Sequence, residues 1–137
     1  MLRPYFVLLI LALCSTFSTA TLAEEEEAAG PNFAYYTLAP DLTTNIHTQG
    51  KKIGYLQVRI DLMVSDNAFI PDLELHDPLI RDTVISVIGE QPEDKIKSLA
   101  GREQLRKDLM DRLNSILLAE TGRTIIAELL FTKYLYQ

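Results

Sequence analysis

The sequence predicts an α+β domain, a small antiparallel sheet with helices packed on one face. Three observations carry that prediction. Leu56, Val58, Ile60, Leu62 and Val64 alternate with Gln57, Arg59, Asp61, Met63 and Ser65, the period of a half-buried strand. Leu105, Leu109, Leu113, Ile116 and Leu117 form a single apolar stripe at helical spacing. The last stretch, Thr124 to Tyr136, is rich in strand formers: Ile125, Ile126, Leu129, Leu130, Phe131, Tyr134 and Tyr136. A closing strand paired with an earlier hairpin, with helices between them in the chain, gives a two-layer domain.

The elements follow in order. Met1-Leu2-Arg3 is a short basic start, Tyr5 to Leu13 is an apolar run, and Thr21-Leu22-Ala23 supplies small residues before Glu24. This is the pattern of a signal peptide over 1–23, with cleavage expected between Ala23 and Glu24. An uncleaved membrane anchor is the rival reading, because no charge interrupts the stretch between Arg3 and Glu24. Both put Arg3 inside and the following glutamates outside. Cys14 follows Leu11-Ala12-Leu13, where a lipid-attachment motif needs a small residue before the cysteine, so it reads as a buried thiol of the leader. Residues 24–33 read as an acidic flexible linker, since Glu24 to Glu27 repel one another and have nothing to bury. Consecutive carboxylates on a flexible chain do not converge on a calcium ion as alternate loop ligands do.

The folded domain is expected over 34–137. Ala34 to Ile46 favours extended structure interrupted at Pro40-Asp41, and Thr48 to Lys52 turns around Gly50 into the alternating strand. Leu73, Ile80, Val84, Val87 and Ile88 then mark a helical region between Pro71 and Gly89, with Pro78 restarting it at Asp77. Gln91 to Leu99 reads as a charged turn. Arg102 to Thr121 reads as the main helix, with Glu103–Lys107 and Asp108–Arg112 pairs at i,i+4 and Gly122 as its left-handed stop.

Composition excludes several functions. The chain has 137 residues, 13 Lys+Arg against 19 Asp+Glu, and a formal charge of −6. That balance argues against a nucleic-acid partner, which needs a basic face. The two histidines, His47 and His76, lack metal-helix spacing and have no cysteine partners, so neither a metal nor a cofactor is expected. Nucleophile-elbow and phosphate-loop motifs are missing too. Glu93-Asp94 and Asp108 with Asp111 are paired acids. A hydrolase would need two of them facing across a cleft; otherwise they form a solvated face. Tyr35, Tyr36, Tyr134 and Tyr136 could form a sugar or peptide platform, or pair across strands. No catalytic set is visible, and the chain reads as a non-enzyme.

The order of segments from about Tyr36 to Gln137 resembles the flagellar basal-body-associated FliL family. The resemblance rests on Tyr36-Thr37-Leu38-Ala39-Pro40-Asp41-Leu42 with Thr44-Asn45-Ile46, and on Tyr55 to Val64. It continues through His76-Asp77-Pro78-Leu79-Ile80-Arg81-Asp82, Gly101-Arg102-Glu103 with Leu105-Arg106, Glu120-Thr121-Gly122, Leu130-Phe131-Thr132 and a terminal Gln137. The resemblance implies a domain similar to the stomatin/prohibitin type, in the periplasm at the inner membrane. It also implies a non-enzymatic accessory of the basal body that associates with stator proteins of the MotA/MotB type. Such a protein affects motor rotation, torque and swimming, swarming or chemotaxis-linked motility, and assembles into homo-oligomeric rings. Because the leader here is short and polar in its second half, the alternative is a soluble periplasmic binding module of the same fold with an envelope ligand.

Overall fold

The structure, a computed structural model, describes residues 30–137. The expected cleavage position at Ala23 and Glu24 and the run Glu24–Glu27 lie outside the described residues. From Gly30 to Phe33 the chain is exposed and irregular before it enters the sheet.

The sheet is built around one long strand. β3 (Gly54–Val64) is flanked along one edge by β4 (Ile126–Tyr136), and its other edge is shared by β1 (Ala34–Thr37) and β2 (Leu42–Ile46). Every pairing is antiparallel: Leu62 lies between Tyr36 and Leu129, and Leu56 between Thr44 and Tyr136. β1 and β2 are thus one edge strand broken at Leu38–Asp41. Pro40 has no N–H for the ladder and follows a cis Ala39–Pro40 peptide bond. Leu38 keeps contact across the break by donating its N–H to Ile60 O at 2.9 Å, and its side chain is buried. The alternation expected for β3 holds, with Leu56, Val58, Ile60, Leu62 and Val64 all fully buried.

The helical region breaks where Pro78 requires it. α1 (Ile70–Leu75) and α2 (Asp77–Gly89) each carry proline in the first turn, where the missing N–H costs nothing. Between them His76 sits at φ −100°, ψ 11°, outside helical geometry. Ile80, Val84 and Ile88 are the buried face of α2, while Val87 is half-buried. Gly89 ends α2 as its last helical residue without adopting a left-handed conformation.

Two corrections follow. Gln91 to Leu99 is not a turn: α3 (Glu93–Lys97) forms there, with Glu93 and Asp94 in its first turn and Lys95 and Lys97 in its last. That charge order suits the helix dipole, and only Ile96 is buried, so five residues show no periodicity. α4 (Leu99–Thr121) begins three residues before Arg102, because the Ser98 hydroxyl accepts the Gly101 N–H at 3.0 Å as an N-cap. Gly101 looks like a helix breaker in sequence. Here it allows close packing: a Cβ at this position would lie 2.0 Å from Lys95 O of α3.

Along α4, Leu105, Leu109, Leu113 and Leu117 are fully buried, and Gly122 closes the helix at φ 75° with its N–H on Leu118 O at 2.9 Å. The stripe packs in the same core as Val58, Ile60 and Leu62, so the helices cover one face of the sheet. The expected Asp108–Arg112 pair is replaced by Asp108 with Lys95, at 2.8 Å between α3 and α4. Glu103 does reach Lys107 at 3.8 Å, but its main partner is Arg106 at 2.7 Å. The molecule has two distinct ends. Ala34, Val64 and Ile126 lie side by side where the chain comes in, and the 47–53 hairpin turn lies at the opposite end of β3.

Candidate functional site

The other face of the sheet carries the residues that alternate with the core. On β3 these are Tyr55, Gln57, Arg59, Asp61 and Met63, flanked by Tyr35, Thr37, Thr43 and Asn45 on one side and by Leu130, Lys133 and Leu135 on the other. The side-chain period of two puts them all on the side away from the helices.

At the centre of this face is Asp41. Its Oδ1 accepts from Arg59 Nε at 2.7 Å, and its Oδ2 accepts from Lys133 Nζ at 3.0 Å and from Gln57 Nε2 at 3.3 Å. Arg59 and Lys133 are directly opposed across β3 and β4, a like-charge pair that would repel without an anion between them. The break between β1 and β2 delivers that anion. Arg81 of α2 steadies the break by donating Nη1 to Pro40 O at 2.9 Å. The bond from Arg59, then that from Lys133, holds the Asp41 carboxyl below its usual range. Beside it Thr37 Oγ1 donates to Asp61 Oδ1 at 2.7 Å. Thr37, Pro40, Asp41, Arg59, Asp61 and Thr132 line an open depression of about 810 Å³. Two carboxylates here face two cations, and the hollow is wide and shallow. This arrangement suits contact with another surface.

The residues singled out in the sequence do not converge. His47 is exposed at the end of β2, while His76 lies half-buried at the α1–α2 break with Nδ1 2.8 Å from Asp72 O. Among the described residues no three His, Cys, Asp or Glu side chains come together as a metal site. Glu93 accepts from Tyr136 Oη at 2.7 Å, from Lys97 Nζ at 2.5 Å and from Gln49 N–H at 3.3 Å. Lys97 first, then Tyr136, then the Gln49 amide lower its carboxyl to about 2. Asp108 accepts from Lys95 and from Gln104, each at 2.8 Å, and these bonds lower its pKa in that order.

The tyrosines make neither a platform nor a cross-strand stack. Tyr36 donates to Asp77 Oδ1 at 2.9 Å, Tyr134 to Ile96 O at 2.7 Å and Tyr136 to Glu93, so each fastens the sheet to a helix. Of those four tyrosines, Tyr35 is the one that points to the outer face, 60% exposed. Desolvation, reinforced by Asp77, pushes the Tyr36 phenol up to about 12.

Asp41 was legible in the sequence only as a strand interruption. Its partners stand 16, 18 and 92 residues away, and no local pattern links them.

With this geometry in place, the chain can be compared with known proteins. Residues 35–137 match the family described as flagellar basal body-associated protein FliL. The chain belongs to the FliL family. The FliL match starts at the second residue of β1 and runs to residue 137, so it covers the sheet except Ala34 and all four α-helices. The flagellar protein FliL of Aquifex aeolicus (strain VF5) is 28% identical over 102 residues, 74% of this chain and 60% of that protein. The flagellar protein FliL of Bacillus subtilis (strain 168) is 30% identical over 77 residues, 56% of this chain and 52% of that protein. The chain therefore spans somewhat more than half the length of these FliL relatives. No helix among the described residues is long and apolar enough to cross a membrane.

Proposed function

We propose that this protein is a non-enzymatic accessory of the flagellar basal body that acts by contact. In this reading residues 34–137 form a periplasmic domain held near the inner membrane, and residues 1–23 export or anchor it. Its partners are stator proteins of the MotA/MotB type and further copies of itself in a ring, and its effect falls on motor rotation and torque. The observation that carries the reading is the match of residues 35–137, the folded domain but for Ala34, to a basal-body family. The charge-compensated outer sheet face supports it. A broad surface whose Asp41 and Asp61 offset Arg59 and Lys133 offers contact area without a strong field of its own.

The test is a deletion strain scored for soft-agar swimming, swarming and filament number. The expected result is altered motility with filaments still assembled, since an accessory tunes a motor that other proteins build. Unchanged swimming and swarming in every medium would reject the motor role. Mass spectrometry of protein from the native envelope decides the leader. A terminus at Glu24 establishes cleavage after Ala23, and an intact Met1 or Leu2 terminus in the membrane fraction establishes an anchor.

A further inference from the structure

β4 pairs with β3 on one edge only, and its other edge is treated unevenly. In an antiparallel pair, residues alternately turn their N–H and C=O toward the partner strand and away from it. Tyr55 and Gln137 exchange both bonds, at 2.8 and 2.9 Å, so Tyr136 and Tyr134 turn their backbone groups to the free edge. Near the start of β4 the helix α4 closes this edge. Asn114 donates Nδ2 to Ile126 O and accepts the Ile126 N–H, both at 2.9 Å, and Arg106 Nη1 reaches Leu129 O at 3.3 Å. Beyond Leu129 this closure stops: none of the described side-chain bonds reaches the backbone of Phe131, Tyr134 or Tyr136.

Beside the uncovered half, α4 and β4 leave a trough of about 260 Å³ lined by Leu99, Arg102, Glu103, Arg106, Leu130 and Phe131. Leu99 is 78% exposed and Leu130 37%. Arg106 is engaged by Glu103 and Glu128. Arg102 forms no ion pair among the described residues. Its guanidinium lies 4.3 Å from the Tyr134 ring centroid, and its Nε is buried without a hydrogen-bond partner. A half-exposed guanidinium with no acidic partner, beside an open strand edge, attracts a carboxylate.

We infer that the free half of β4 accepts an extended acidic segment of a partner protein as an added strand. One carboxylate of that segment meets Arg102 on the helix side, where an apolar side chain also rests on Leu99, and a side chain of the opposite face rests on Leu130. Strand addition joins main-chain hydrogen bonds, which give affinity, to alternating side-chain contacts, which give specificity. A row of unpaired strand N–H and C=O groups matches the repeat of another polypeptide backbone, a spacing that a lipid or a sugar does not share. A second copy of this chain is a poorer occupant. Its β1–β2 edge is broken at Leu38–Asp41 into runs of four and five residues, and its β4 edge from Phe131 to Tyr136 carries Lys133 and no acid to meet Arg102.

The test uses a fluorescein-labelled nine-residue peptide alternating Val and Thr with two glutamates, titrated with the protein and followed by polarisation. Saturable binding is expected, weakened about tenfold or more by Arg102→Gln, the scale of one lost charge-assisted bond. Leu130→Glu should weaken it as well. Methylating alternate peptide amides should abolish binding, and replacing the glutamates with lysines should do the same. Arg112→Gln, on the side of α4 that faces α2, should leave it unchanged. Circular dichroism of each variant confirms that the fold is kept. Failure to bind, equal binding of the lysine peptide, or indifference to amide methylation would each overturn the proposal. A concentration-dependent dimer without peptide that Arg102→Gln dissolves would also overturn it, in favour of a second copy.

Discussion

Tyr136, the last residue but one, donates its hydroxyl to Glu93 Oε1 at 2.7 Å and so ties the end of β4 to α3. The same carboxylate holds Lys97 and the Gln49 amide, and Lys97 lies 4.7 Å over the Tyr136 ring. One acid therefore gathers the hairpin turn, the shortest helix and the final strand. That role makes it a sensor of acid.

The Glu93 carboxyl is lowered from 4.5 to about 2 in the folded protein. Between those values the folded chain holds one proton fewer than the unfolded chain, so stability falls as pH falls. Its contribution is complete above pH 4.5 and is lost as pH drops through about 2. Asp41, Glu103 and Asp108 shift in the same direction, because Arg59, Arg106 and Lys95 respectively donate to them. Thermal midpoints measured from pH 7 to pH 2 should fall below about pH 4.5, and Glu93→Gln should flatten part of that slope.

Removing the anion at the centre of the open sheet should be felt through its cations. Asp41→Asn leaves Arg59 opposite Lys133 with no charge between them, and the thermal midpoint should drop. Salt screens that repulsion, so the deficit should narrow at high ionic strength. The double variant with Lys133→Gln should recover part of the loss. A deficit independent of salt would mean that Asp41 acts through the loop conformation instead.

Leu109 and Leu118 lie on the same helix and differ only in face. Leu109 is fully buried and Leu118 is 48% exposed. In denaturant titrations Leu109→Ala should cost about 2–5 kcal/mol, and Leu118→Ala should stay within roughly 0.5 kcal/mol of the parent. Equal effects would misplace the stripe.

Three glycines should answer alanine differently. Gly122→Ala forces a side chain into φ 75° and should destabilise by about 1–2 kcal/mol. Gly101→Ala should cost more, since its Cβ meets the Lys95 backbone at 2.0 Å and backbone does not yield cheaply. Gly89→Ala sits in a helical conformation with nothing within 4 Å. It should stabilise by roughly 0.5–1 kcal/mol. Chemical denaturation of the three proteins gives the order directly.

At alkaline pH the reporter is Tyr36, whose phenol is raised from 10.0 to about 12. Here the folded chain holds the extra proton, so stability is complete below pH 10 and falls as pH rises toward 12. Phenolate absorbance should show a late titration that Tyr36→Phe removes.

What could be read from the chain divides along a physical line. β3 and α4 were legible because each spends its whole length at one interface, so burial imprints a period of two or four on the residues. α3 escaped because Ile96 alone is buried and one residue carries no period. The start of α4 escaped because Gly101, which serves close packing, looks like a breaker. The tyrosines were visible, but their partners Asp77, Ile96 and Glu93 were not. Those contacts span 38 to 43 residues and depend on how the layers stack. Asp41 is the extreme case, with donors from two strands and a carboxylate delivered by a break in a third.

The two ends of the molecule have a consequence for reach. Ten residue steps of β3 at about 3.3 Å separate Gly54 from Val64, roughly 33 Å along the strand. A tether upstream of Ala34 would fix one end of that rod and carry exposed Lys51, Lys52 and Ile53 out to the other. At physiological ionic strength charges are screened over about 8 Å, so the hairpin lysines would be electrically independent of the surface that holds the tether. Held upright on such a tether, the domain would work as a spacer of set height, offering its cationic tip to objects standing off that surface and withholding it from the surface itself.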